Sequence, residues 1–222
     1  MSAQRSSSVS FSSRGSVARS LAHLICVAVL LLSTAALSAQ AVFEDSFERA
    51  DGPPSGWTVF QGAWSILDER LQNEGASGVN ADAPWIWAGD TPILMSGDIE
   101  ATIDLELGPF PHPDAGVGSH GGIAFYCNEP TERYQTPISG YTLDWINRAA
   151  DHGFRLIRLD AGAKPAPGHT IIATGGAEIV DPPLTWTVRI DGEMILVFAD
   201  DDPVPVIEVA DATYRKGHFG FW

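Results

Sequence analysis

The stretch Gly140-Tyr-Thr-Leu-Asp-Trp-Ile-Asn-Arg-Ala-Ala-Asp-His-Gly-Phe-Arg-Leu-Ile-Arg-Leu-Asp160 decides the fold. Tyr141, Leu143 and Trp145 alternate with Thr142 and Asp144, the period-2 pattern of a strand with one buried face. Arg148 to His152 breaks the pattern, and Gly153 opens a second run in which Ile157 and Leu159 alternate with Arg158. A five-residue polar loop ending in Gly suits a hairpin better than a crossover helix. The centre of the protein therefore reads as antiparallel β.

Outward from this hairpin the same grammar repeats. Asp98 to Leu107 alternates Ile99, Ala101, Ile103, Leu105 and Leu107 with Glu100, Thr102, Asp104 and Glu106, which predicts one core face and one polar face. Leu184–Ile190 and Met194–Phe198 form a second expected hairpin around Asp191-Gly192. Short apolar runs at Val42–Phe47, Trp57–Phe60, Ala63–Leu67, Pro84–Trp87, Ile123–Cys127, His169–Thr174, Val204–Val209 and Gly217–Trp222 are separated by Gly, Pro and Asp turns. No amphipathic helical stretch of useful length interrupts them. The expected fold is an all-β, two-sheet antiparallel β-sandwich of the jelly-roll kind.

The first 41 residues are expected to stand outside that domain. Arg5, Arg14 and Arg19 precede an apolar run from Leu21 to Leu32, and Ala39-Gln40-Ala41 supplies small residues for cleavage. This is the pattern of a secretory signal peptide, and the run is too short and too interrupted by Ser and Thr for a membrane span. Residues 42–222 then form one domain, secreted or extracytoplasmic. All 28 acidic residues lie after residue 41 and three of the 13 Lys and Arg before it, which leaves 10 bases against 28 acids, a net charge of −18. Such a surface repels phosphate backbones and anionic lipid, so nucleic acid and membrane insertion are excluded as partners. Cys127 is the single cysteine after residue 41, so no intrachain disulfide forms, and its apolar strand marks it as a small core residue.

The order of these pieces resembles the concanavalin A-like lectin/glucanase superfamily in its laminin-G-like single-domain form. The likeness is carried by Phe43-Glu44-Asp45-Ser46-Phe47, Gly62–Ile66, Gly97–Glu100, Gly121–Phe125, Gly140–Leu143, Gly153–Leu156, Trp186–Gly192, and Tyr214 with Gly217–Trp222. It implies a jelly roll with a concave sheet, in a superfold that hosts lectins, glycosidases and adhesion modules. It also implies a last strand, beyond the Gly217–Trp222 piece, pairing beside the first, and the sequence shows no such piece.

Candidate chemistry follows three lines. Glu100, Asp104 and Glu106 share one strand face, on which residues two apart stand roughly 7 Å from each other, a spacing compatible with glycosidic acid–base work beside Glu129 or Asp144. They do not match the Glu-x-Asp-x-x-Glu pattern of the laminarinase-like members, and alternation alone produces such a face. Trp85, Trp87, Tyr141, Asp144 and Trp145 are the candidate ligand contacts, since sugar rings stack on exposed aromatic planes. Asp144 and Trp145 point to opposite faces of one strand, so only one of them can line a groove. Glu44 and Asp45, with Asp51 and Asp200–Asp202, offer hard oxygen ligands, and the resemblance implies a structural Ca²⁺. The leading expectation is a secreted, non-catalytic module binding a glycan or an extracellular surface protein. A glycoside hydrolase and a structural domain of a larger extracellular protein are the alternatives.

Overall fold

The computed structural model describes residues 9–14, 41–73, 85–105, 119–128, 138–148, 151–160, 169–179 and 183–222. They form sixteen strands and, among the described residues, no helix. One sheet holds β1 (Val9–Arg14), β2 (Ala41–Asp45), β8 (Asp98–Asp104), β13 (Thr185–Asp191), β14 (Met194–Ala199) and β15 (Ile207–Ala210), in the order β15-β14-β13-β8-β1-β2. The other holds β3 (Trp57–Gln61), β6 (Trp85–Ala88), β9 (Ser119–Cys127), β10 (Gly140–Arg148), β11 (Asp151–Leu159), β12 (His169–Gly175) and β16 (Lys216–Phe221), in the order β12-β11-β10-β9-β16-β6-β3, with β7 (Leu94–Ser96) paired to β16. A small hairpin of β4 (Trp64–Leu67) and β5 (Arg70–Asn73) stands apart. Every pairing is antiparallel.

Period-2 alternation builds the core directly. Ile99, Ala101 and Ile103 on β8, and Trp186, Val188 and Ile190 on β13, point inward from the six-stranded sheet. Tyr141, Leu143 and Trp145 on β10, with Phe154 and Leu156 on β11, meet them from the eight-stranded sheet. Aromatic rings bridge the two layers: Trp145 lies edge-on to Phe154 at 4.9 Å, and Phe154 edge-on to Trp186 at 4.8 Å. Trp57 and Trp186 are buried in this core and Trp64 is half-buried against it.

Two turns differ from expectation. The central hairpin continues to Arg148↔Asp151, so the ladder runs through residues read as loop and leaves only 149–150 between the strands, outside the described residues. Local polarity alone does not distinguish the end of a strand from a loop. The second hairpin pairs Asp191 with Met194, so its central residues are Gly192 and Glu193, one position later than the Asp-Gly signal. Gly192 has φ +59°, while Glu193 is not in the left-handed region, a combination that only Gly in the first central position accommodates freely.

Strand β9 carries a kink that sequence periodicity does not reveal. Tyr126 has φ +52°, so Phe125 and Tyr126 both face the core and Cys127 returns to the outer face. The Tyr126 hydroxyl donates to the Gly97 carbonyl, which holds the inserted ring at the sandwich edge.

Strand β1 comes from inside the segment read as a leader. It pairs with β8 on one side and β2 on the other, in the place beside the first strand of the domain.

Candidate functional site

The outer face of the eight-stranded sheet carries a second buried cluster, separate from the core between the sheets. It comprises Trp87, Ala124, Cys127, Ile138, Ile157 and Leu159, with Phe60 and Trp222 packed against it. Two rows of directly opposed residues cross this face, and opposed residues share a face. One row runs Arg155 (β11), Asp144 (β10) and Gly122 (β9), then Trp222, whose backbone exchanges hydrogen bonds of 3.1 and 3.2 Å with Gly122. The next runs Ile157, Thr142, Ala124, Gly220 and Trp87.

Glycine at two of these positions is a packing requirement. A Cβ at Gly122 would stand 2.0 Å from the Leu143 carbonyl oxygen, and one at Gly220 would stand 2.2 Å from that of Ile86. No side chain therefore rises from the sheet between Asp144 and Trp222, and only the Ala124 methyl does so between Thr142 and Trp87. The result is a floor of backbone, bounded by indoles on one side and by Arg155 and Ile157 on the other.

Asp144 lies at the centre of this arrangement. It is 3 % exposed, and its Oδ1 accepts no hydrogen bond from the described residues. Burial pushes its pKa up to about 8, overriding Thr142, Trp222 and the Arg155 charge, each of which favours the ionised form. At neutral pH it is mostly a neutral carboxylic acid, able to donate one hydrogen bond and accept others. Arg155 and Trp222 are half-buried and frame it, so they supply the solvent-facing part of this patch, with the Asp144 carboxyl buried between them.

The other expected contacts lie elsewhere. Trp145 is fully buried between the sheets and offers no face to a ligand. Tyr141 is in the same core, stacked on Phe125 at 5.3 Å, with its hydroxyl donating to Asp211 Oδ1 at 2.6 Å and accepting the Tyr214 N–H at 3.1 Å. Both belong to the inward set of β10, which strand periodicity keeps off the outer face. Trp87 does lie on that face, opposite Gly220, but it is fully buried there and, like Trp145, offers no exposed ring to a ligand. Trp85 is in β6, but its side chain is outside the described residues.

The strand acids lie on the far side of the molecule. Glu100 accepts from Arg189 Nε at 2.6 Å and Asp104 from Thr185 Oγ1 at 2.7 Å, on the outward face of the six-stranded sheet. Both sheets and the core separate them from Asp144, and stacked sheets alone are roughly 10 Å apart. They form no acid–base pair with it. Glu106 and Glu129 are outside the described residues.

Glu44 and Asp45 do not converge on a cation. Consecutive strand residues point to opposite faces, and Asp45 is already saturated. It accepts from Arg49 Nη1 at 2.7 Å and Nη2 at 2.9 Å, from Trp57 Nε1 at 2.8 Å and from the Phe47 N–H at 2.8 Å. Burial opposes its ionisation, but these donors outweigh it and hold the carboxyl below its usual range. The pair does not fit the structural Ca²⁺ that the resemblance implies, and no group of three or more His, Cys, Asp or Glu among the described residues could hold a metal. Cys127 is buried, and burial pushes its thiol pKa up, away from the reactive thiolate.

Gly122, Thr142, Arg155, Gly220 and Trp222 were not singled out by sequence reasoning. A signal existed for two of them: Thr142 shares parity with Asp144, and Trp222 shares parity with Gly220. The cross-strand register that joins the rows has no local signature.

No protein-family model matches the chain, and no curated protein matches it. Among solved structures it is similar to the carbohydrate binding module CBM66 from Bacillus subtilis, with a TM-score of 0.53 and 20 % identity over 75 % of this chain and 86 % of that one. No helix among the described residues is long and apolar enough to cross a membrane. The likeness and the strand pairing together show the fold: an all-β, two-sheet antiparallel sandwich.

Proposed function

We propose that this chain is an exported, non-catalytic recognition module that binds carbohydrate on the outer face of the eight-stranded sheet, centred on Asp144. The observation that carries this reading is the buried Asp144 carboxyl, with Oδ1 unengaged by the described residues, set in a glycine-floored row between Arg155 and Trp222. A carboxyl that donates and accepts, a guanidinium that donates, and an indole face match the hydroxyl edges and C–H faces of a sugar. The structural likeness to a carbohydrate binding module supports the same ligand class. Export rests on the leader pattern in residues 1–41, and kinship with the laminin-G-like sandwiches rests on the ordered strand pieces.

Titration calorimetry after a glycan-array screen tests it. The wild type is expected to bind at least one neutral glycan, with Asp144→Asn and Trp222→Ala each weakening it by about tenfold or more, the loss of one good polar or stacking contact. Unchanged affinity in both variants, with the fold intact by near-UV circular dichroism, overturns the site.

A further inference from the structure

Strand β1 fills a position between two strands that do not pair with each other. Residues Val9 to Arg14 oppose Ile103 to Asp98 of β8 at six positions, and Val9 to Ser12 oppose Asp45 to Ala41 of β2. Positions 9, 11 and 13 stand in register opposite Ile103, Ala101 and Ile99 of β8, all three of which are buried. Both neighbouring strands are also held without it. β8 pairs with β13 at six positions on its other edge. β2 is fixed through Asp45 to Arg49 and Trp57, and Phe43 meets the Trp57 ring edge-on at 5.3 Å.

We propose that export opens the gap between β2 and β8, and that this slot binds an extended peptide by strand addition, antiparallel to both walls, with apolar residues at alternate positions. The proposal rests on the leader reading under Proposed function and is independent of the carbohydrate site. Cleavage after Ala41 would remove residues 9–14 together with the first residue of β2, and leave the facing N–H and C=O groups of β8 and of residues 42–45 unpaired beside the core. Such an edge recruits an extended chain, because main-chain hydrogen bonds supply affinity and the alternating apolar positions supply register. The Val9-Ser10-Phe11-Ser12 pattern, seated antiparallel between both walls, shows what the slot accepts.

The test uses protein secreted by its host and purified from the culture medium. Its intact mass is measured, and a fluorescein-labelled peptide of residues 7–16 is then titrated by anisotropy, beside the same peptide carrying Phe11→Asp. A chain lacking residues 1–41 is expected to bind the peptide saturably and the Phe11→Asp peptide at least tenfold more weakly. Amide exchange at residues 98–103 is expected to slow on peptide addition, with residues 186–190 unchanged. A secreted chain that retains residues 9–14 overturns both the open slot and the leader reading. A processed chain that binds neither peptide, or both equally, overturns the slot alone.

Discussion

Asp144 and Trp145 are neighbours in the chain, yet they lie on opposite sides of the eight-stranded sheet. The indole of Trp145 fills the space between the sheets against Phe154, whereas the carboxyl of Asp144 is buried in the outer row beside Trp222 and opposite Arg155. This division determines which substitutions should change binding and which should change stability.

Asp144→Asn should show a pH-dependent stability difference. The folded pKa of about 8 lies above the ordinary 3.8, so the folded state holds the proton more tightly than the unfolded chain. Its destabilising contribution is absent below pH 3.8, grows as pH rises from there to about 8, and is constant above that. Every tenfold difference in proton affinity between the two states corresponds to about 1.4 kcal/mol, so Asn, which cannot ionise, should be more stable than wild type at pH 9 by a few kcal/mol and nearly equal at pH 4. Urea denaturation across that range measures it. A difference that does not vary with pH would contradict the buried-acid assignment.

Trp145→Ala should be a stability mutant. Removing a fully buried indole from a core leaves a cavity and costs about 3–5 kcal/mol. Denaturant midpoints should fall, and any glycan affinity lost should return under conditions that keep the variant folded. Selective loss of binding in a variant of wild-type stability would place the indole in the site after all.

Gly122→Ala and Gly220→Ala should each destabilise by about 1–3 kcal/mol, because the added methyl meets backbone carbonyls that cannot move without breaking the ladder. Thermal unfolding reads the effect. An alanine tolerated without loss at either position would mean the strands are further apart there than the Cβ distances require.

Asp45→Asn should cost about 1–3 kcal/mol near neutral pH through loss of the charge-assisted contacts to Arg49. Because the folded pKa lies below 3.8, this contribution is present above that value and lost as pH falls through the folded pKa. Wild type and variant should therefore converge in acid. Unfolding curves at pH 7 and pH 2.5 test the convergence, and a gap of equal size at both would exclude ionisation as its source.

Much of the sandwich is legible in the sequence. The alternation at Ile99, Ala101 and Ile103, and again at Tyr141, Leu143 and Trp145, reports which side chains meet in the core, because strand periodicity and burial are both local. The candidate site is only half legible. Asp144 and Trp87 are visible as candidates, but Arg155, Gly122 and Trp222 enter the same row only through pairing between strands far apart in the chain.

Sequence by itself determined the all-β class, the inward faces of the main strands, the acidic surface and the opposite placement of Asp144 and Trp145. Tertiary structure decided which of those two faces the candidate site and how the outer rows assemble, and it showed that Glu100 and Asp104 lie beyond reach of Asp144. It also placed residues 9–14 between β2 and β8. The physical reason is the same in each case. Side-chain direction along one strand follows from backbone geometry alone, whereas the neighbour across a ladder follows from register, bulges such as that at Tyr126, and the free energy of the whole packed sheet.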